Sequence, residues 1–228
     1  MELEIGIKAM LRNILDVITS TYFDFPKKKN IDAAFTYSVS VTQEIKWSES
    51  FENKKYNLAM ASEMINKYVI MPGELFSFWH IIGEPKKRFK KGRVILRGKL
   101  SEEIGGGLCQ VSGLIYHVSL LAGLEIVERH NHSLDLYTDE TRYTPLGTDA
   151  TVVYGYKDLR IKNNQKFPIS FQLVQEQNII EVQLRSPNFI KQQALRFEIV
   201  KDEATTTVRI EDEEKRLVSY SRYKVYTP

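Results

Sequence analysis

One cysteine occurs in 228 residues, and it follows three consecutive glycines, Gly105-Gly106-Gly107, at the start of an apolar helical pattern. Thiolate is the nucleophilic form of cysteine. A thiol at a helix N-terminus lies beside unpaired N–H groups and the positive end of the dipole, which lower its pKa. In most globular chains a lone cysteine is a small buried hydrophobe. Starting a helix does not by itself call for three glycines, because Ser, Thr, Asp or Asn caps do so at less entropic cost. Cys109 is therefore the candidate nucleophile. Such a thiolate needs a base that can carry a proton, and the base needs an acceptor to orient it. His130 and His132 are candidates for the base and Asp149 for the orienting carboxylate. The same residue types suit zinc, so Cys109, His130, His132 and either His117 or Asp149 form a rival, less favoured reading as a metal site. His117 counts against it, since along a helix it lies about 12 Å from Cys109.

These residues must be positioned by the elements around them. Val111, Leu114, Ile115, Val118 and Leu121 recur at three- and four-residue steps and predict a helix from the cysteine to Ala122-Gly123. Cys109 falls opposite the centre of that stripe, near Gly113 and Tyr116. Period-two patterns predict strands over 125–133, placing His130 and His132 on one face, and over 148–154, carrying Asp149. A third is predicted over 159–162, and 168–174 with 179–184 read as a hairpin about Gln175-Glu176-Gln177-Asn178. Further strands are predicted in 195–200, 206–210 and 217–225. Cysteine on a helix, then histidine and aspartate on successive strands, is the chain order of papain-like and transglutaminase-like cysteine enzymes.

Before the cysteine, Leu3, Ile7, Met10, Leu11, Ile14, Leu15 and Ile18 make an amphipathic helix whose apolar stripe is expected to pack on the core. Phe35, Tyr37, Val39 and Val41 alternate with polar residues as a strand, and Leu58 to Tyr68 mark a second helix that ends by Met71-Pro72-Gly73. Glu74 to Trp79 reads as a short aromatic strand, with Trp79 a candidate groove wall. Residues 84–104 read as an irregular basic loop, a solvated turn or a holder of an anionic substrate through residues such as Arg97 and Lys99. The fold class is α+β: N-terminal helices and a central cysteine-bearing helix packed on a mainly antiparallel sheet. Residues 1–54 form an N-terminal segment, 55–185 a core domain, and 186–228 a C-terminal β extension of the same domain.

Composition excludes several classes. At 43% hydrophobic and 27% charged the chain can bury a sizeable core, and a net charge of +3 without an arginine-rich run argues against a nucleic-acid partner. One cysteine allows no internal disulfide. Met1-Glu2-Leu3-Glu4 is acidic where a secretory signal is basic, and Lys8, Arg12 and Asp16 interrupt any apolar span. The expectation is a cytoplasmic protein without a transmembrane segment, with action at the cell envelope left open.

The blocks Pro72-Gly73-Glu74, Gly105-Gly106-Gly107-Leu108-Cys109-Gln110-Val111-Ser112, Glu128-Arg129-His130-Asn131-His132-Ser133 and Thr148-Asp149-Ala150-Thr151-Val152 resemble the VanW family, over roughly residues 55 to 185. That family is named for an accessory protein of vancomycin-resistance clusters. Some wall-anchored relatives are regarded as L,D-transpeptidases that join peptidoglycan stems through a cysteine acyl-enzyme. The resemblance implies Cys109 as nucleophile, His132 rather than His130 as base, and Asp149 as its orienting group. Gly106 and Gly107 would supply oxyanion donors. Gly105, Gly106, Gly107, Gln110 and Ser112, with Trp79, Arg97 and Lys99, form the expected substrate-binding set. The expected partner is a peptidoglycan stem peptide or precursor, with no cofactor. The alternative is a non-catalytic accessory protein that binds such stems.

Overall fold

The computed structural model describes residues 2–19, 21–27, 35–96, 99–135 and 144–225. Among these the helices are α1 (Glu2–Ile18), α2 (Phe51–Ile65), α3 (Phe78–Ile82) and α4 (Leu108–Leu121). The first strands are β1 (Tyr37–Glu44), β2 (Leu75–Ser77), β3 (Lys91–Leu96), β4 (Lys99–Ile104), β5 (Glu125–Glu128) and β6 (Leu134–Asp135). After them come β7 (Arg160–Lys162), β8 (Ser170–Glu176), β9 (Ile179–Ser186), β10 (Arg196–Lys201), β11 (Thr205–Glu211) and β12 (Leu217–Val225). The architecture is α+β. No helix among the described residues is long and apolar enough to cross a membrane.

The cysteine helix is the centre of the packing. Val111, Leu114, Ile115 and Val118 are at most 2% exposed, and α4 lies on the sheet β1-β9-β8 with α2 beside it. That sheet is antiparallel throughout, but its edge strand β1 comes from before the helix, whereas β8 and β9 are the expected hairpin with Gln177-Asn178 as its tip. Tyr116 and Ser112 on the other side of α4 are buried too. The helix is therefore enclosed, and its second face receives residues 148–152: an added Cβ on Gly113 would lie 3.6 Å from Ala150 N and from Asp149 Cα.

A four-stranded sheet, β10-β11-β12-β6, closes the C-terminal side. β12 runs antiparallel to β11 and parallel to β6, with Lys224 opposite Leu134. A smaller sheet, β2-β7-β5, and the hairpin β3-β4 complete the ladders.

Four sequence expectations are corrected. The strand expected over 125–133 stops at Glu128, so His130 and His132 lie beyond it. Residues 148–154 form no ladder beyond a bridge from Val153 to Lys157. Their backbone groups pair elsewhere: Thr151 N–H donates to His130 O at 2.7 Å, and Ala150 O accepts from Ser112 Oγ at 2.7 Å. Residues 84–104, read as irregular, contain the β3-β4 hairpin. The stripe of α1 faces outward, with Met10, Leu11, Ile14, Leu15 and Ile18 exposed. The charged face of α1 docks instead. Arg160 donates to both oxygens of Asp16 at 2.8 and 2.6 Å, and Arg12 pairs with Glu128. Buried ions need partners, and α1 supplies them.

Candidate functional site

The turn before the cysteine is held from two sides. Asn57 of α2, fully buried, donates through Nδ2 to Gly106 O and to Lys90 O, both at 2.9 Å, and accepts from Lys90 N–H at 2.8 Å. Gly106 packs on Gly92 of β3 so closely that a Cβ would overlap the Gly92 backbone. Gly107, the N-cap residue of α4, has φ +101°, which favours glycine. Leu108 N–H donates to Gly105 O and Gln110 N–H to Gly107 O. Gly106 N–H is taken up by Glu103 O at 3.3 Å, whereas the N–H groups of Gly107 and Cys109 have no acceptor among the described residues.

Cys109 is half-buried, its thiol donates to Val152 O at 3.8 Å, and the His132 ring is the neighbour that most lowers its pKa. His132 Nδ1 pairs with Asp149 Oδ2 at 2.6 Å, and His132 N–H donates to the same oxygen at 2.7 Å. With Nδ1 engaged, Nε2 is the ring nitrogen left for the thiol. The other carboxylate oxygen accepts from Arg129 Nη2 at 3.0 Å and from Tyr223 Oη at 2.5 Å. Arg129 also reaches Asp149 O, Gly147 O and Ser221 Oγ, and its guanidinium lies over the Tyr116 ring.

Charge follows this arrangement. Burial pushes the Cys109 thiol up, but the hydrogen bond and charge of His132 outweigh it and the pKa is lowered. Burial pushes His132 down, while Asp149 and Cys109 raise it to about 10. Burial opposes the charge of Asp149, yet His132 and Arg129 hold it well below the usual carboxylate range. These shifts favour transfer of the thiol proton to the imidazole above an ionised carboxylate.

The remaining expected residues have partners of their own or lie outside the described residues. His130 Nε2 bonds Glu128 Oε1 at 3.0 Å, because the chain leaves the strand and turns the ring that way. Gln110 Nε2 donates to Glu44 O at 2.9 Å, while its buried Oε1 has no partner among the described residues. Ser112 is fully buried, with its hydroxyl on Ala150 O, and so supports the site from behind. Trp79 is half-buried, its indole N–H on Lys157 O at 2.7 Å and its ring edge-on to Tyr154. Arg97 and the side chain of Lys99 lie outside the described residues. Among the described residues no three His, Cys, Asp or Glu side chains are grouped to hold a metal ion. Arg129 and Tyr223 were missed as partners of Asp149. Arg129 stands beside His130 in the motif, but nothing in the pattern of β12 singles out Tyr223.

Fold and site together define an α+β protein in which a cysteine adjoins a histidine that is hydrogen-bonded to an aspartate. The chain belongs to the VanW family: residues 53–185 match the family model described as VanW like protein. It is 36% identical over 125 residues to an uncharacterized protein, YoaR, of Bacillus subtilis strain 168, covering 54% of this chain and 40% of that one. It is also 36% identical over 115 residues to the vancomycin B-type resistance protein VanW of Enterococcus faecalis strain V583, covering 50% of this chain and 42% of that one. The match thus spans about two fifths of each of these relatives. No solved structure matches the chain.

Proposed function

We propose that the chain acts on peptidoglycan stem peptides or their precursors as a cysteine acyl-transferase of the L,D-transpeptidase type. The observation that carries this reading is the series Cys109 thiol, His132 ring, Asp149 carboxylate. Cys109 Sγ, its proton passed to His132, attacks the carbonyl that joins the L-centre to the terminal D-alanine of a donor tetrapeptide. The oxyanion that forms is met by the N–H groups of Gly107 and Cys109. His132 passes its proton to the leaving amine, the C–N bond breaks, D-alanine departs, and a thioester remains on Cys109. His132, now neutral, takes a proton from the incoming amine of an acceptor stem, which displaces the thiolate. Asp149 holds the imidazole in the required tautomer throughout. Gly105, Gln110, Trp79, Arg97 and Lys99 complete the proposed substrate-binding set.

The name of the enterococcal relative, a vancomycin resistance protein, supports a place in cell-wall chemistry. The test is product analysis. Incubation with a stem tetrapeptide and an amine acceptor should release D-alanine and yield the amide-linked product, and Cys109→Ala should abolish both. Tetrapeptide binding without D-alanine release would identify a non-catalytic stem-binding accessory protein instead.

A further inference from the structure

The apolar stripe of α1 faces outward because the opposite side of the helix is committed to the body of the protein. Asp16 answers Arg160, Arg12 pairs with Glu128 and donates to Tyr156 O at 3.4 Å, and Lys8 Nζ stands 5.4 Å from the centroid of the Tyr156 ring. These contacts fix which way the helix turns. Outward go Ile7, Leu11, Ile14 and Ile18, at steps of four, three and four residues, with Met10, Leu15 and Val17 beside them. Each is between 45% and 73% exposed, and none carries a charge.

The shape of this face suits a helix. A shallow depression on it is lined by Met10, Asn13, Ile14, Val17 and Ile18, and the first four stand at i, i+3, i+4 and i+7, the spacing of a hole that receives a side-chain knob from a facing helix. The seam of α1 itself, stepping by four and three, carries such knobs. Its extent suits a stable pair. The exposures of the seven aliphatic residues amount to about 700 Å² per copy, so two copies would bury about 1,400 Å², within the roughly 1,200–2,000 Å² of a specific interface. A stripe with no charge also meets a copy of itself without repulsion, as a two-fold interface requires. Its charge does not suit lipid. A helix lying on a membrane turns Lys and Arg to anionic headgroups, whereas α1 has only Lys8 and Arg12 against Glu2, Glu4 and Asp16, and both cations are turned to the body.

We propose that α1 is a homodimer interface, its aliphatic stripe packed against α1 of a second copy about a two-fold axis. Pairing covers the outer face of a helix whose inner face already holds Arg160 and Glu128. Glu128 in turn bonds His130 Nε2 and accepts from Asp158 N–H, so the paired helix steadies the end of β5, from which the chain runs on to His132. Association of this kind requires nothing of the chemistry at Cys109.

Sedimentation equilibrium of the full chain tests this, with a reductant present so that Cys109 cannot cross-link. The wild type should sediment at twice the chain mass at about 10 µM, a concentration at which interfaces of this size are formed. Ile14→Asp and Leu11→Glu each set a carboxylate in the seam and should raise the dissociation constant about thirtyfold or more, the scale of a central interface residue. Val200→Glu, on the exposed strand β10, should leave it unchanged. Circular dichroism checks that the variants fold. Hydrogen exchange of the wild type needs no variant: the α1 amides should exchange more slowly above the dissociation constant than below it. A wild-type chain still monomeric at about 100 µM, a dimer indifferent to both seam substitutions, or α1 exchange independent of concentration would overturn the interface. A monomer that floats with phosphatidylcholine–phosphatidylglycerol vesicles would overturn it too, and would assign the stripe to a membrane surface.

Discussion

The hydroxyl of Tyr223 donates to Asp149 Oδ1 at 2.5 Å, while His132 occupies Oδ2 of the same carboxylate. Burial and the charge of Asp149 raise the Tyr223 phenol above its ordinary pKa, so it remains a donor at any physiological pH. Tyr223 stands on β12, beyond residues 53–185 of the family match. The strand also accepts Asn131 Nδ2 on Arg222 O, and Lys224 N–H donates to Ser133 O. β12 thus braces both the carboxylate and the segment that carries His132.

Tyr223→Phe should leave the chain folded but cost about 1–3 kcal/mol, the range for removing one partner of a buried polar contact. A carboxylate held by fewer donors orients His132 less well, so alkylation of Cys109 by iodoacetamide at pH 7 should slow several-fold. Thermal unfolding and alkylation rates check the two parts. An unchanged rate would mean that the phenol serves stability alone.

The two histidines should separate cleanly. His132→Ala removes the largest influence that lowers the Cys109 thiol and leaves burial, which raises it, opposed only by the Val152 carbonyl contact, so the pH midpoint of alkylation should move upward. His130→Ala should leave the midpoint in place, because that ring bonds Glu128. Alkylation rates measured from pH 5 to 10 distinguish them.

Stability should depend on pH with opposite signs at the two ends. His132 is raised from 6.5 to about 10, so its contribution is complete below pH 6.5 and is lost as pH rises through about 10. Asp149 is depressed, so its contribution is present above 3.8 and is lost as pH falls through its lower folded value. Asp149→Asn leaves the largely buried Arg129 beside a neutral partner and should destabilise by about 3–5 kcal/mol at pH 7. The difference from wild type should shrink in acid, as melting temperatures at pH 7 and pH 3 will reveal.

Gly106→Ala should destabilise by more than about 2 kcal/mol, since its Cβ would overlap the Gly92 backbone, which cannot swing aside as a flexible side chain can. Denaturant unfolding measures the loss. A stability equal to wild type would show that the turn can move away from β3.

The helix of Cys109 and the β8-β9 hairpin were legible because burial follows their periods of 3.6 and two. Three things escaped that reasoning. Residues 148–152 alternate like a strand, yet Ser112 and His130 satisfy their backbone groups, so no ladder forms. The stripe of α1 has the period of a packed helix, but Asp16 and Arg12 answer buried charges on Arg160 and Glu128 and turn the helix over. Cys109, His132 and Asp149 were legible as residue types in order, although the geometry that joins them is loop rather than the expected pair of strands. Tyr223 was invisible because its partner lies 74 residues away in sequence.

The central claim is that Cys109 carries an acyl group. Intact-mass and peptide-mapping spectrometry after acid quench of a reaction with a stem tetrapeptide tests it most directly. The expected result is a thioester on Cys109 that adds the mass of the tetrapeptide less D-alanine, absent from Cys109→Ala and diminished in His132→Ala. A wild-type chain that binds the tetrapeptide yet yields no adduct at any pH from 6 to 9 would contradict it.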